Sequence, residues 1–306
     1  MSYDHFKNIT MQQIEALKEL VEAGSFTRAA TNMFITQPTL TKQMKNLEET
    51  VKAKIINRKH TGITLTPEGK ILYDYARRIL RLRDEAREKI LSIQNHDSGH
   101  ILISASTIPA TYILPQLLGQ LKRQYPDIRT HLQMTDSEDT YQIILDDLAE
   151  IGFVGKEIVD QRLVIVTLWT DRLVLAVPEG HPWFQRPAVT LREVEIEPFI
   201  MRERGSGTRE TLEQFFQKEK NRAVPQFNVV CEIGSSEAVK ESVIAGLGIS
   251  LLSIHAVKRE ISQGIFREVP IEGCSIKRNF YMIYKKQFHL MNYHKKFIAL
   301  VKTHTL

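Results

Sequence analysis

Only two cysteines, Cys231 and Cys274, occur among 306 residues, and they form no Cys-x-x-Cys arrangement. That excludes a disulfide scaffold and a cysteine-based zinc site, and it fits a reducing compartment. No run of about 18 apolar residues is present to span a bilayer. The opening stretch, MSYDHFKNIT, lacks the apolar core of a secretory signal. The expectation is a cytoplasmic protein with no membrane partner. Catalytic patterns are missing as well: there is no His-Glu-x-x-His and no Walker A loop. Gly205-Ser206-Gly207 is not a nucleophile elbow, because Arg204 stands where that turn needs glycine. Gly246-Leu247-Gly248 is too short for a dinucleotide fingerprint and reads as a turn into a strand. The ten histidines are scattered, and His131 and His255 read as structural or surface residues. No enzymatic activity, no cofactor and no metal are expected.

What is present is a chain too long for one core, since single cores stop growing at about 250–300 residues. A hydrophobic share of 42% and a charged share of 25% are ordinary for a globular protein and exclude wholesale disorder. The charge is unevenly placed. Residues 1–96 hold 16 Lys and Arg against 11 Asp and Glu, whereas residues 97–306 hold 25 of each. The whole excess of +5 therefore sits in the first third. A basic module joined to a neutral one suggests a polyanion for the first and a different task for the second, chance clustering of surface charge being the alternative.

Within the basic third, Met11, Ile14, Leu17, Leu20 and Val21 recur at spacings of three and four, which predicts an amphipathic helix ending at Gly24. Ser25 offers an N-cap for a short second helix, Phe26 to Met33, in which Ala29 and Ala30 permit close approach of a neighbour. After the turn Phe34-Ile35-Thr36, a third helix opens with Thr36 as N-cap and Pro38 in its first turn. Leu40, Met44 and Leu47 form its inward stripe. Its outward face carries Gln37, Thr39, Thr41, Lys42 and Lys45, short and polar first, then basic. That order suits a helix whose first turns read base edges in a major groove while lysines meet phosphates. An isolated polar stripe would read as a solvated face; here the helix, tight turn and Pro-led helix come in the order of a helix-turn-helix.

The stretches Gly24-Ser25-Phe26-Thr27-Arg28-Ala29-Ala30, Thr36-Gln37-Pro38-Thr39-Leu40-Thr41 and Leu47-Glu48 resemble the winged helix-turn-helix of LysR-type transcriptional regulators. The usual Ser-Gln-Pro-Ala-Leu-Ser has threonine at both serine positions here, which keeps the hydroxyl and adds a methyl that can meet a thymine methyl. Ile55-Ile56-Asn57-Arg58-Lys59-His60 to Ile63-Thr64-Leu65-Thr66-Pro67-Glu68-Gly69 resembles the family's wing, with Ile56 in place of the usual phenylalanine and Thr61-Gly62 at the turn. Arg58, Lys59 and His60 would approach the backbone or minor groove, or else form a solvated loop. The candidate DNA-binding residues are therefore Arg28, Thr36, Gln37, Pro38, Thr39, Thr41, Lys42, Lys45 and Arg58. Gln37, Thr39 and Thr41 are assigned to bases; Arg28, Lys42, Lys45 and Arg58 are assigned to phosphate or groove positioning.

A long helix runs from Thr66 to about Asn95, with Leu72, Tyr75, Ile79, Leu82, Ala86 and Ile93 at heptad-like spacing and Lys89 interrupting the seam. Flanked by Arg77, Arg78, Arg81, Arg83 and Arg87, this seam demands a helical partner, either another copy or its own domain. The resemblance implies an antiparallel linker-helix pair in a homo-oligomer, dimer or tetramer, that spaces two reading heads on double-stranded DNA, with RNA polymerase as a further partner.

Asp97-Ser98-Gly99-His100 marks the domain boundary. Beyond it strands and helices alternate: strands at 100–106, 128–134, 150–154, 172–177, 198–202, 226–232 and 248–253, helices at 109–124, 137–148, 206–220 and 235–245. This predicts parallel α/β sheets in two similar subdomains. The resemblance implies a discontinuous layout like that of periplasmic binding proteins. Leu163–Leu168 carries the chain outward, Ile265–Val269 brings it back, and Arg278–Lys286 with a last helix completes the first subdomain. The expected divisions are a winged helix-turn-helix at 1–66, a linker helix at 67–96 and an effector domain at 97–306. In the effector domain, subdomain I is about 97–163 and 267–306, and subdomain II about 164–266.

Ligands of open α/β sheets bind beyond the carboxyl ends of strands, near helix N-termini that favour anions. Ser106-Thr107, Asp136-Ser137, Arg204-Gly205-Ser206-Gly207-Thr208-Arg209 and Ser235-Ser236 all occupy such places. Each taken singly is equally an ordinary helix cap. Converging on one cleft, Ser106, Thr107, Ser137, Gly205, Ser206 and Thr208 become candidate contacts for a small-molecule effector. Arg204–Arg209 resembles the branch of the family that controls sulfur assimilation or carbon fixation, which implies a small anionic or carboxylated metabolite. A metabolite-binding protein without DNA function is the second reading, and it leaves the helix-turn-helix and the concentrated charge unexplained.

Overall fold

A computed structural model describes residues 5–59, 62–94, 98–219 and 226–305. The chain forms two compact units, Met1–Gln94 and Asn95–Leu306. Among the described residues no helix is long and apolar enough to cross a membrane.

In the first unit, α1 (Met11–Ala23) opens on a capping box in which Thr10 and Gln13 satisfy each other's backbone N–H, and it ends where Gly24 turns left-handed at φ +66°. Ser25 precedes α2 (Phe26–Asn32), but its hydroxyl makes no capping hydrogen bond. The capping hydroxyl of Thr36 opens α3 (Gln37–Val51), which ends on Lys52 in the left-handed region. Leu17, Leu20, Ala29, Leu40 and Leu47 are fully buried where the three helices meet. Ala29 and Ala30 let α2 lie close against its neighbours. The wing is an antiparallel pair, β1 (Ile56–Lys59) and β2 (Gly62–Leu65), with Ile56 opposite Leu65. Ile56 packs against the helical core, so the smaller side chain still seats the base of the wing. His60 and Thr61 lie outside the described residues.

The long helix α4 (Pro67–Gln94) starts on Thr66, whose hydroxyl accepts from the Gly69 N–H at 3.0 Å and donates to the Lys54 carbonyl at 2.6 Å. Its two apolar faces separate. Leu72, Tyr73, Ala76 and Leu80 pack on the unit's own core. Ile71, Tyr75, Ile79, Leu82, Ala86 and Ile90 are exposed. Leu72, expected in the outer seam, thus belongs to the inner face, since 3.6 residues per turn carries a heptad pattern slowly around the helix. The side chain of Ile93 lies outside the description.

The second unit alternates as expected but its main sheet is mixed. β3 (Gly99–Ser106) pairs in parallel with β4 (Ile128–Thr135) and β5 (Ile151–Val154). A π-helical turn (Pro109–Ile113) leads into α5 (Leu114–Gln124), so the expected continuous helix from 109 has a wider first turn. α6 (Ser137–Leu145) follows β4. A single strand, β6 (Leu163–Pro178), replaces the two short ones expected over this stretch. Next come α7 (Leu191–Ile196), β7 (Pro198–Arg202), α8 (Gly207–Glu219) and β8 (Asn228–Ile233), the two strands pairing in parallel. After α9 (Ser236–Ile244), β9 (Leu251–Ser253), α10 (Ile254–Ser262) and β10 (Phe266–Glu268), the chain returns along β11 (Ile276–Lys285) and closes on α11 (Asn292–Thr303). Neither α7 nor α10 was expected, although Thr190-x-x-Glu193 is a capping-box pattern and both residues engage as one.

β6 and β11 run antiparallel over ten paired positions, from Ile276 opposite Leu173 to Lys285 opposite Leu163, with a bulge at Phe280/Tyr281. These strands cross from one lobe to the other instead of returning through a helix, so the parallel rule for strand–helix–strand units does not govern them. Towards its end β6 pairs with β9 and β10, and the Phe199–Ile249 bridge joins β7 to that group. Apolar residues fill both faces. Leu117, Phe153, Trp169 and Phe297 belong to one cluster, and Trp183, Phe199, Phe216 and Ile249 to another.

Candidate functional site

On the first unit, Arg28, Thr36, Gln37, Pro38, Thr39, Lys42 and Lys45 are exposed and Thr41 is half-buried. They lie on or beside the start of α3 because Pro38 and the Thr36 cap fix where that helix begins. The Thr36 and Thr39 hydroxyls are 2.8 Å apart, and the Thr27 hydroxyl donates to the Gln37 side-chain oxygen at 3.4 Å. Thr27, not singled out from the sequence, therefore steers Gln37. Lys45 pairs with Glu49 at 3.7 Å on an open face, a contact worth at most about 1 kcal/mol that a phosphate can replace. A groove bordered by Phe26, Thr41, Lys45, Lys54 and Asn57 separates α3 from the wing. Arg58 sits opposite Ile63 in the wing ladder; the side chains of Arg58 and Lys59 lie outside the description.

On the second unit, Ser106, Thr107, Ser137, Ser206 and Thr208 line one small cavity, with Gly207 beside them. Two helix starts, those of α6 and α8, supply this wall, and Arg202 ties it to a third, that of α9. Asp136 caps α6 by accepting from the Asp139 N–H at 2.7 Å, Gly207 begins α8, and Ser235 caps α9. The Ser137 hydroxyl accepts from Gly155 N–H at 3.2 Å, and Ser206 accepts from Thr208 N–H at 3.3 Å. Gly205 borders the adjoining groove instead of the cavity itself. It takes φ +90° in the turn that ends at Ser206, which places its backbone against the Asp136 carboxylate. At Gly207 an added Cβ would stand 2.9 Å from both the Gly155 carbonyl oxygen and the Ser137 hydroxyl, so the two lobes touch here only because the side chain is absent.

Two guanidinium groups complete the cavity, and neither was picked out from the sequence. Arg278 is 6% exposed and lies opposite Asp171 in the β6–β11 ladder, donating from Nε to its carboxylate at 2.8 Å and from Nη1 to the Thr208 hydroxyl at 3.1 Å. Asp171 is held in turn by the Ser253 hydroxyl at 2.8 Å and the Arg172 N–H at 2.9 Å. The second nitrogen, Nη2 of Arg278, is buried with no hydrogen-bond partner among the described residues. A buried charged donor left unmade is costly, so this atom marks where an acceptor belongs. Arg202, 3% exposed, forks onto the Glu203 carboxylate at 2.8 and 2.6 Å, reaches Thr107 across the cleft and Ser236 on its own lobe. The one signal for either in the sequence was an arginine inside a stretch of buried strand.

Other contacts bridge the lobes. Lys156 binds Glu138 at 2.5 Å and Glu210 at 3.4 Å. Burial opposes its charge, yet the two carboxylates prevail and hold its pKa above the ordinary lysine value. Tyr112 donates to Glu237, which also binds Lys240. Among the described residues no cluster of three metal-ligating side chains exists.

Residues 11–70 match the bacterial regulatory helix-turn-helix protein, lysR family, and residues 94–306 match the LysR substrate binding domain. The chain belongs to the LysR family. This LysR-type transcriptional regulator is 32% identical over 298 residues to the HTH-type transcriptional activator CmpR of Synechocystis, an alignment covering 97% of this chain and 96% of CmpR. It is 30% identical to the HTH-type transcriptional regulator CysL of Bacillus subtilis over 93% of this chain and 94% of CysL. The fold matches full-length CbnR complexed with its target DNA at a TM-score of 0.73 and 20% identity, covering 96% and 99% of the two chains. The regulatory domain of Synechocystis CcmR, in complex with 2-PG, matches at 0.60 and 26% identity, covering 67% of this chain and all but 1% of that one.

Proposed function

We propose that this LysR regulator reads promoter DNA through the start of α3 and is switched by a small anion held in the cavity beneath Arg202 and Arg278. The observation that carries the second half is the buried, unpartnered Nη2 of Arg278 in a cavity walled also by Arg202, by hydroxyls and by helix starts, with Asp136 capping one of them. Such a wall favours an oxyanion over a neutral ligand. The 2-PG bound by the CcmR regulatory domain is an anion of this class, and it supports the reading.

In this reading residues 1–66 are the reading head, 67–96 the dimerisation helix and 97–306 the effector domain. Gln37, Thr39 and Thr41 contact bases, while Arg28, Lys42, Lys45 and Arg58 hold the backbone. The exposed Tyr75, Ile79, Leu82 and Ala86 face meets a second copy. The regulator works in the cytoplasm and performs no catalytic step. An effector that binds one lobe arrangement tenfold better than another contributes about 1.4 kcal/mol to the switch. Thr107→Ala and Ser206→Ala then lose the response to 2-PG in a promoter retardation assay while retaining DNA binding. Retained response in both variants removes the cavity from the account.

A further inference from the structure

Asp171, Arg278, Ser253 and His255 form one buried polar unit behind the cavity. Asp171, its side chain wholly buried, accepts from Nε of Arg278 and from the Ser253 hydroxyl, each at 2.8 Å. His255, the second residue of α10, holds Nε2 3.8 Å from the same carboxylate. Two nitrogens of this unit are buried without a hydrogen-bond partner among the described residues: Nη2 of Arg278 and Nε2 of His255. Arg278 lines the cavity, whereas His255 does not and reaches it only through Asp171 and Arg278. The charged groups that face His255 are Asp171 from β6, Arg278 from β11 and Lys258 on its own helix. On the neighbouring α9, Lys240 is matched by Glu237 at 2.8 Å and by Glu260 at 2.7 Å. Burial, helped by Lys258 and Arg278, outweighs Asp171 and the Thr170 backbone, and it keeps the imidazole neutral at neutral pH.

With His255 neutral, Arg278 and Asp171 cancel and the unit carries no net charge. An oxyanion at Nη2 of Arg278 makes the unit negative. A proton on His255 restores neutrality and gives Nε2 a hydrogen to turn towards Asp171. Away from bulk water, charges a few ångströms apart interact strongly, so these two events favour each other. We infer that anion binding at Arg278 is coupled through Asp171 to the uptake of one solvent proton by His255, so that the regulator holds its effector more tightly as the pH falls. The inference rests on the anion reading of the cavity given above and adds a control on that site. Such coupling is reciprocal: the anion raises the proton affinity of His255 by the factor by which the proton raises the affinity for the anion. Above about pH 6.5 His255 is neutral and anion affinity sits at its lower level. It rises as the pH drops through the imidazole range and levels off once the free protein is itself protonated.

The test is calorimetric titration of the full-length protein with sulfate, whose charge stays constant from about pH 5.5 to about pH 8, in two buffers of different ionisation enthalpy. Wild type should bind sulfate about three- to tenfold more tightly at the acid end than at the alkaline end. Midway, the heats in the two buffers should differ by the uptake of a fraction of one proton. H255Q should match wild type at the alkaline end and lose both the pH dependence and the buffer dependence. Sulfate affinity of wild type that ignores pH, or a pH dependence that survives in H255Q, overturns the coupling while leaving the cavity intact. A loss in H255Q that is equal at every pH does the same, because it shows His255 to be a packing residue only. If wild type binds no sulfate at millimolar concentration at any pH, the anion reading of the cavity itself is wrong and this inference falls with it.

Discussion

The two units of this regulator place their working groups differently. In residues 5–59 the groups assigned to DNA are exposed, neighbours in sequence, and positioned by one helix cap and one proline. In residues 98–305 the cavity is buried and drawn from the ends of β3, β4 and β7, the start of α8 and the middle of β11. Local positioning leaves a periodic trace that a sequence displays. Assembly across long chain separations leaves only isolated residues whose partners are unknown until the strands are paired.

The largest expected effect breaks the local unit through its core. Leu40 is fully buried between the three helices, and Leu40→Ala should cost about 2–5 kcal/mol. The first unit should then melt well before the second, which calorimetry resolves as two transitions; a single transition lowered as a whole would show the units to be coupled, and an unshifted one would contradict the cost assigned to Leu40. Next, Gln37→Ala should lose about 1–3 kcal/mol of discrimination at one base pair in a competition assay. Unchanged operator preference removes Gln37 from base reading. Lys42→Ala should instead weaken all sequences alike and lower the salt slope by about one.

A smaller effect of opposite sign sits at the turn before α3. Phe34 is 96% exposed and holds φ +55°, so it takes a strained backbone with no burial in return. Phe34→Gly should raise stability by about 1 kcal/mol, read as a higher midpoint in urea. An unchanged or lower midpoint means that the ring makes contacts the exposure does not reveal.

The smallest effect belongs to the second unit. Burial holds the His255 imidazole below its ordinary value, with Asp171 pulling the other way and Lys258 and Arg278 adding to the depression. As pH falls below about 6.5 the unfolded chain takes the proton first, so stability is complete above that value and declines towards the folded pKa. His255→Gln should flatten the fall of Tm on the acid side of about pH 6.5. An unaltered slope would mean that other groups set it.

The helix-turn-helix was legible because Leu40, Met44 and Leu47 mark one face and Thr36 and Pro38 mark the start. The hydroxyls of the cavity were legible because Ser106 ends a strand and Ser137 and Ser206 come just after one. Arg202 and Arg278 were not, because an arginine inside a strand declares nothing until its acid is known. Glu203 is adjacent to Arg202, but Asp171 is 107 residues from Arg278. The mixed sheet escaped for a related reason: alternation predicts parallel pairing, and the crossing ribbon of β6 and β11 obeys a register that no local pattern encodes.

The most direct test of the central claim is retardation of a promoter fragment by full-length wild type and by Thr107→Ala, titrated with 2-PG at fixed salt. The account predicts salt-sensitive binding by both proteins, with complex mobility or affinity responding to the anion in wild type only. Equal response by the two proteins, or no salt-sensitive retardation by wild type, would contradict it.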